Sequence, residues 1–249
     1  MNPSETSGIS ERADGDGRLR LLPSAERPQG APARYTLKYP STWTLLDLDP
    51  STRDVAIRRH IEEQAKGTDA KPEVVDRIVR ETRKSAREAY AQGALQVGSL
   101  LAFLPDVSTL MATGLVLRTR IPEGEPTDLG ELMLAGGIHV NRTSAGRGSE
   151  LNRVEIMELP EVGSVGRMTS LEDFDYYGKA LVRTAVHQVV IPVPSSRDLM
   201  VLAGTTPNIS MAEQFFDVFD AIAATFRFHE PEDDPGESAT PGAGSEVGT

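Results

Sequence analysis

The stretch from Val182 to Phe228 limits the fold more than any other part of the chain. It reads V-R-T-A-V-H-Q-V-V-I-P-V-P, then a polar turn S-S-R-D, then L-M-V-L-A-G-T, and ends in S-M-A-E-Q-F-F-D-V-F-D-A-I-A-A-T-F-R-F. Two apolar runs of strand length around a short polar turn predict a long hairpin over residues 181–205. After it, Phe215, Val218, Phe219, Ile222 and Phe226 recur at helical spacing and line one face of a closing helix. Ser210 and Glu213 stand three apart at its start. That is the pattern of a capping box, in which each side chain serves the other's backbone N–H. Burying five such apolar side chains stabilises a fold by about 8–15 kcal/mol, taken as an upper estimate.

The segments upstream supply the rest of a sheet and its cover. Tyr35–Tyr39 alternates as a strand until Pro40, and extended chain resumes at Trp43. Asp49 can cap a helix with Pro50 at its first position, and Ile57, Ile61 and Ala65 give that helix an apolar stripe. A second helix starts near Pro72, with Val75, Ile78, Val79, Thr82, Ala86 and Ala89 on one face. Leu95 to Phe103 and Met111 to Leu117 alternate as antiparallel partners. Leu129 to Ala135 reads as a short helix capped by Asp128 or Thr127, and residues 141–150 read as a loop. Val154–Leu159 and Ser164–Leu171 read as two shorter strands. The pattern predicts an α+β fold: an antiparallel β-sheet covered by helices, with a closing C-terminal amphipathic helix.

Charge separates this body from its flanks. The net charge of −11 is uneven, since residues 230–249 carry six acids and no base, while residues 35–229 carry 26 acids against 21 bases. Residues 1–33 are rich in Ser, Gly, Pro and charge with no apolar period, so the chain divides into a disordered segment 1–33, a single domain 34–230 and a disordered acidic tail 231–249. An acidic chain is a poor ligand for phosphate backbones, whose binding depends on Lys and Arg displacing counterions; nucleic acid is not an expected partner. The absence of cysteine excludes disulfides, thiolate metal sites and thiol catalysis. No apolar run is long enough to span a bilayer and no secretory signal stands at the start, so membrane insertion is not expected and a cytoplasmic location is.

Catalytic signatures are missing. There is no P-loop, no G-x-G-x-x-G after a strand and no G-x-S-x-G elbow; Gly146-Arg147-Gly148 and Gly163-Ser164-Val165-Gly166 have the wrong spacing or context. His60, His139, His187 and His229 are isolated in sequence, with no metal-ligand spacing, and His187 falls mid-strand, where a hydrogen-bonded structural imidazole is the expectation. No cofactor is implied. Two polar clusters remain as candidate partner-binding surfaces. One is the basic face of the second helix, Arg77, Arg80, Arg83, Lys84 and Arg87, which would also be a solvated face held by the four-apart pairs Glu73–Arg77, Asp76–Arg80 and Lys84–Glu88. The other is the acidic-aromatic run 171–177 with Asp173, Asp175, Tyr176 and Tyr177. It reads as a loop anchored by tyrosine rings or as a docking edge.

Two motifs carry a resemblance to a known family. Tyr35-Thr36-Leu37-Lys38-Tyr39-Pro40-Ser41-Thr42-Trp43 is similar to the opening strand, Pro and Trp of the PsbP-like fold family, and Phe215 to Phe228 resembles its closing helix and short final strand. That family includes photosystem accessory proteins, a Ran-GTPase-binding import factor and bacterial adaptors or chaperones for secreted effectors. The resemblance implies a bacterial, non-catalytic sheet scaffold that binds another protein, and it transfers no functional residue. The expected function is therefore a cytoplasmic adaptor or chaperone-like module using a sheet face or the helices of residues 51–92. The alternative is an enzyme or small-ligand binder with a site assembled from dispersed residues such as His187, Asp173 and Arg118.

Overall fold

The hairpin that dominates the sequence forms the middle of the sheet. The computed structural model describes residues 34–103, 109–143, 149–175 and 181–229. Within them the elements run β1 (Tyr35–Thr36), β2 (Thr44–Leu45), α1 (Arg53–Ala65), α2 (Pro72–Ala91), β3 (Ala94–Phe103), β4 (Thr109–Arg120), α3 (Leu129–Thr143), β5 (Arg153–Leu159), β6 (Gly163–Asp175), β7 (Leu181–Pro192), β8 (Asp198–Thr206), α4 (Ala212–Ala223) and β9 (Arg227–Phe228). Seven strands form one antiparallel sheet in the order β2-β3-β4-β8-β7-β6-β5, and β1 pairs with β9 in a separate two-stranded ladder. The fold is α+β, as the strand and helix periods predict. The segments read as disordered, residues 1–33 and 231–249, lie outside the described residues.

Helices cover both faces, and strand alternation says which helix covers which. Leu100 packs in the cluster around α4 while its neighbour Leu101 packs with α1 and α2, so these helices lie on opposite faces. Val116 and Leu202 join the α4 side, whereas Leu117 and Val201 pack against Leu132 and Met133 of α3. The α4 face is also lined by the opening segment, where Trp43 is buried with Phe215, Phe216 and Phe219. Tyr35 stacks on Phe226 with ring centroids 5.4 Å apart, and burial pushes its phenol up to about 12. His229 N–H donates to Arg34 C=O at 2.9 Å, so the first and last described residues are in contact.

A row of directly opposed residues crosses the sheet on the α4 face: Gly98, Gly114, Gly204, His187 and Thr169. The glycines make a trough. A Cβ on Gly204 would lie 2.5 Å from the Phe219 ring, and one on Gly98 would lie 2.5 Å from the Tyr39 ring. Mid-strand glycine lowers strand propensity, and here it is the close approach of two aromatic rings that requires it.

Several boundaries depart from the sequence reading. The closing helix has no capping box: a 3₁₀ turn at Ile209–Met211 precedes it, no side chain caps it, and Glu213 instead pairs with Arg153 of β5 at 2.6 Å. Asp49 accepts from Ser51 N–H at 2.8 Å in a local turn, and α1 begins at Arg53 rather than Pro50. Asp128 does cap α3, accepting from Glu131 N–H at 3.0 Å, but α3 runs on through Thr143, into what reads as a loop. β6 extends to Asp175 because β7 pairs with it out to Leu181, so the acidic run is strand up to that point and not a loop.

The α1–α2 pair forms its own small core from Ile57, Ile61, Val79 and Ala86. Arg83 closes it by donating from Nε to Asp54 C=O at 2.8 Å. Charged donors to carbonyls contribute about 1.5–3 kcal/mol, so Arg83→Ala is expected to cost about 2 kcal/mol. Faster amide exchange confined to α1 would report it; unchanged exchange there would show that the bond does not hold the helix.

Candidate functional site

The densest polar constellation lies under α4, next to the glycine trough. His187 on β7 is 1% exposed and its ring packs against Phe216 and Phe219. Its Nε2 is 2.7 Å from Asp220 Oδ1 on α4. Arg167 on β6 reaches the same carboxylate from Nε and Nη2, at 2.9 and 2.8 Å, and donates from Nη1 to Glu155 Oε1 on β5 at 2.6 Å. Three neighbouring strands thus present one cation, one imidazole and one acid to a single helix.

Burial pushes the His187 imidazole below its ordinary range, outweighing the upward pull of Asp220. Burial alone would raise the Asp220 carboxyl, but the bonds from His187 and Arg167 outweigh it and hold that group below the usual carboxylate range. The consistent state is an ionised Asp220 accepting from a neutral His187 whose Nε2 carries the proton. The ring packs against Phe216 and Phe219, and the Asp220 carboxylate bonded to its Nε2 is also engaged by Arg167. The arrangement serves as a clamp between α4 and the sheet.

The dispersed trio considered from the sequence is not brought together. Arg118 pairs with Asp198, donating from Nε at 2.9 Å, and Arg120 reaches the same buried carboxylate. Asp173 pairs across the hairpin with Arg183, Nε to Oδ1 at 2.9 Å, which holds its carboxyl below the usual range. Asp175 ends β6, and its side chain lies outside what is described, as do Tyr176 and Tyr177. Among the described residues no group of three His, Asp or Glu side chains could hold a metal ion.

The basic helix is divided by its packing. Arg83 and Arg87 both turn to Asp54 on α1, and Lys84 pairs with Glu88 at 3.6 Å. Arg77 and Arg80 stay on the exposed face. Asp76 pairs with Arg58 of α1 at 3.1 Å, not with Arg80, because the neighbouring helix offers a cation across the interface. Sequence spacing cannot see that competition. It also missed Asp220, Arg167 and Glu155, whose one visible signal was an Asp inside the apolar face of the closing helix.

The sequence matches no protein-family profile and no curated protein. Among solved structures, the fold is similar to the crystal structure of LpqN, involved in cell envelope biogenesis of Mycobacterium tuberculosis. That match has 12% identity and a TM-score of 0.40, and it covers 83% of this chain and 90% of that one. No helix among the described residues is long and apolar enough to cross a membrane.

Proposed function

We propose that the chain is a non-catalytic, protein-binding module of adaptor or chaperone type, built on a PsbP-like scaffold and acting in the cytoplasm. The observation that carries this reading is the α1–α2 pair. It packs on the sheet chiefly against β3, keeps its own core, and turns Val55, Tyr90, Arg77 and Arg80 to solvent. Exposed apolar and aromatic groups on the same helix pair as cations that have no partner among the described residues suit an acidic protein segment with apolar anchors. The buried His187 cluster supports the same reading from the other side, since its polar groups are consumed in holding α4.

Charge reversal at Arg77 and Arg80 separates recognition from stability, because neither side chain ties α2 to α1. Arg77→Glu/Arg80→Glu is expected to abolish capture of a stoichiometric partner from native lysate while shifting stability by no more than about 0.5 kcal/mol. Capture equal to that of the unaltered chain would remove this face from the function.

A further inference from the structure

β5 ends the seven-stranded sheet, and among the described residues no strand pairs with its outer side. Apart from the charges of Arg153, Glu155 and Glu158, it lacks the usual protections of an edge. It is seven residues long, contains no proline, and pairs with β6 without a register shift. Its side chains are exposed almost throughout: Val154 is 37% and Ile156 53% exposed, and Leu134 on α3, the helix packed over β5 and β6, is 68% exposed. An unpaired backbone edge lies beside an apolar strip.

We infer that this edge is the contact between two copies of the chain, joined antiparallel about a two-fold axis at Val154. The charges next to the axis choose the occupant and the register. With Val154 opposite Val154 of the second copy, Arg153 faces Glu155 of that copy and Glu155 faces its Arg153, on one side of the sheet. Both side chains are about half exposed and already anchored on their own chain, Arg153 by Glu213 and Glu155 by Arg167. Pairing therefore orders little that is not ordered beforehand. The axis also sets the two α3 helices on the same face, where a bare extended peptide would bring no second layer to meet Leu134. A register centred on Glu155 would oppose two like carboxylates, which disfavours it. The result is a sheet continued through both copies by Arg153–Glu155 of each, with Ile156 facing the Asn152 that precedes the strand. A strand-edge contact with a few apolar side chains lies near the small end of stable interfaces, ~1,200 Å², so association is expected at micromolar concentration.

Sedimentation velocity on the full chain tests this directly. The unaltered protein is expected to sediment at twice its 26.9 kDa mass as concentration enters the micromolar range. Val154→Lys sets two ammonium groups across the axis and is expected to leave monomer. Arg153→Glu and Glu155→Arg are each expected to be monomeric alone, since like charges then face each other. Mixed one to one, they are expected to restore the doubled mass, and that restoration also shows that both variants fold. A monomer at all concentrations would overturn the inference and leave the edge to the chain's own flanks or to another protein. A dimer that survives Val154→Lys, or single charge variants that the mixture fails to rescue, would overturn it as well.

Discussion

Phe219→Asp is expected to yield a chain with no cooperative unfolding transition. The ring is buried at the meeting point of the core: it fills the trough over Gly204, stands edge-on to Trp43 at 6.0 Å and packs against His187 at 5.5 Å. Truncating a buried phenylalanine costs about 3–5 kcal/mol by itself. Setting a carboxylate in the same place adds the cost of an unpaired buried charge, and it would sit on the same helix as Asp220. The sum reaches the whole stability of an ordinary domain, about 5–15 kcal/mol. Phe219→Leu, which keeps the site apolar, is the control and is expected to melt cooperatively at lower temperature. A sharp transition in the Asp variant would mean that α4 is not needed to close the sheet.

Asp220→Ala is expected to be the second most damaging change, and its effect depends on pH. Removing the carboxylate leaves Arg167 with Glu155 as its remaining acid and His187 without an acceptor. Breaking a buried ion pair from one side costs about 3–5 kcal/mol, and the lower end applies because the Asp220 side chain is a quarter exposed. In the intact protein both shifts act in one direction. The folded imidazole binds its proton less readily than the unfolded one, so its stabilising share is complete above 6.5, the ordinary value, and is lost as pH falls below it. The lowered Asp220 carboxyl adds a second loss below its ordinary 3.8. Urea denaturation at stepped pH should show the first decline, and His187→Gln should remove the His187 share of it. His60, also lowered by burial, contributes with the same sign and stays in that variant. Equal pH slopes in the intact chain and His187→Gln would show that His187 does not titrate with folding.

Local patterns carried most of the fold. The long β7–β8 hairpin, the α2 stripe and the β3–β4 pair are legible because period and turn chemistry are properties of neighbours in sequence. The glycine trough was written there too, as Gly98, Gly114 and Gly204 inside otherwise apolar strands. Its meaning depends on which rings descend from Tyr39 and Phe219, residues far away in the chain. The clamp was hidden for the same reason. His187 is separated by 33 positions from Asp220, and Arg167 by 53. No spacing rule links an imidazole on one strand to an acid on a later helix. The α2 charges show the opposite failure: of the four-apart ion pairs read from the sequence Lys84–Glu88 forms, but Arg58 of α1 takes Asp76 from Arg80, and Asp54 of α1 draws Arg83 and Arg87. The capping box failed because the 3₁₀ turn shifts the helix start to Ala212 and leaves Glu213 facing Arg153.

The ladder between β1 and β9 decides how the molecule answers to pulling. Tyr35 pairs with Phe228 and Thr36 with Arg227, so traction applied at the two ends of the described body opens that ladder one rung at a time, as a zipper opens. Load never spreads over several hydrogen bonds at once, as it would in a sheared pair. Next inside it come the hydrogen bonds between Lys38 and Thr225, and then the seating of α4 on the sheet. An unfoldase or translocating machine that grips either end would therefore meet its lowest resistance first, with the long central strands still intact.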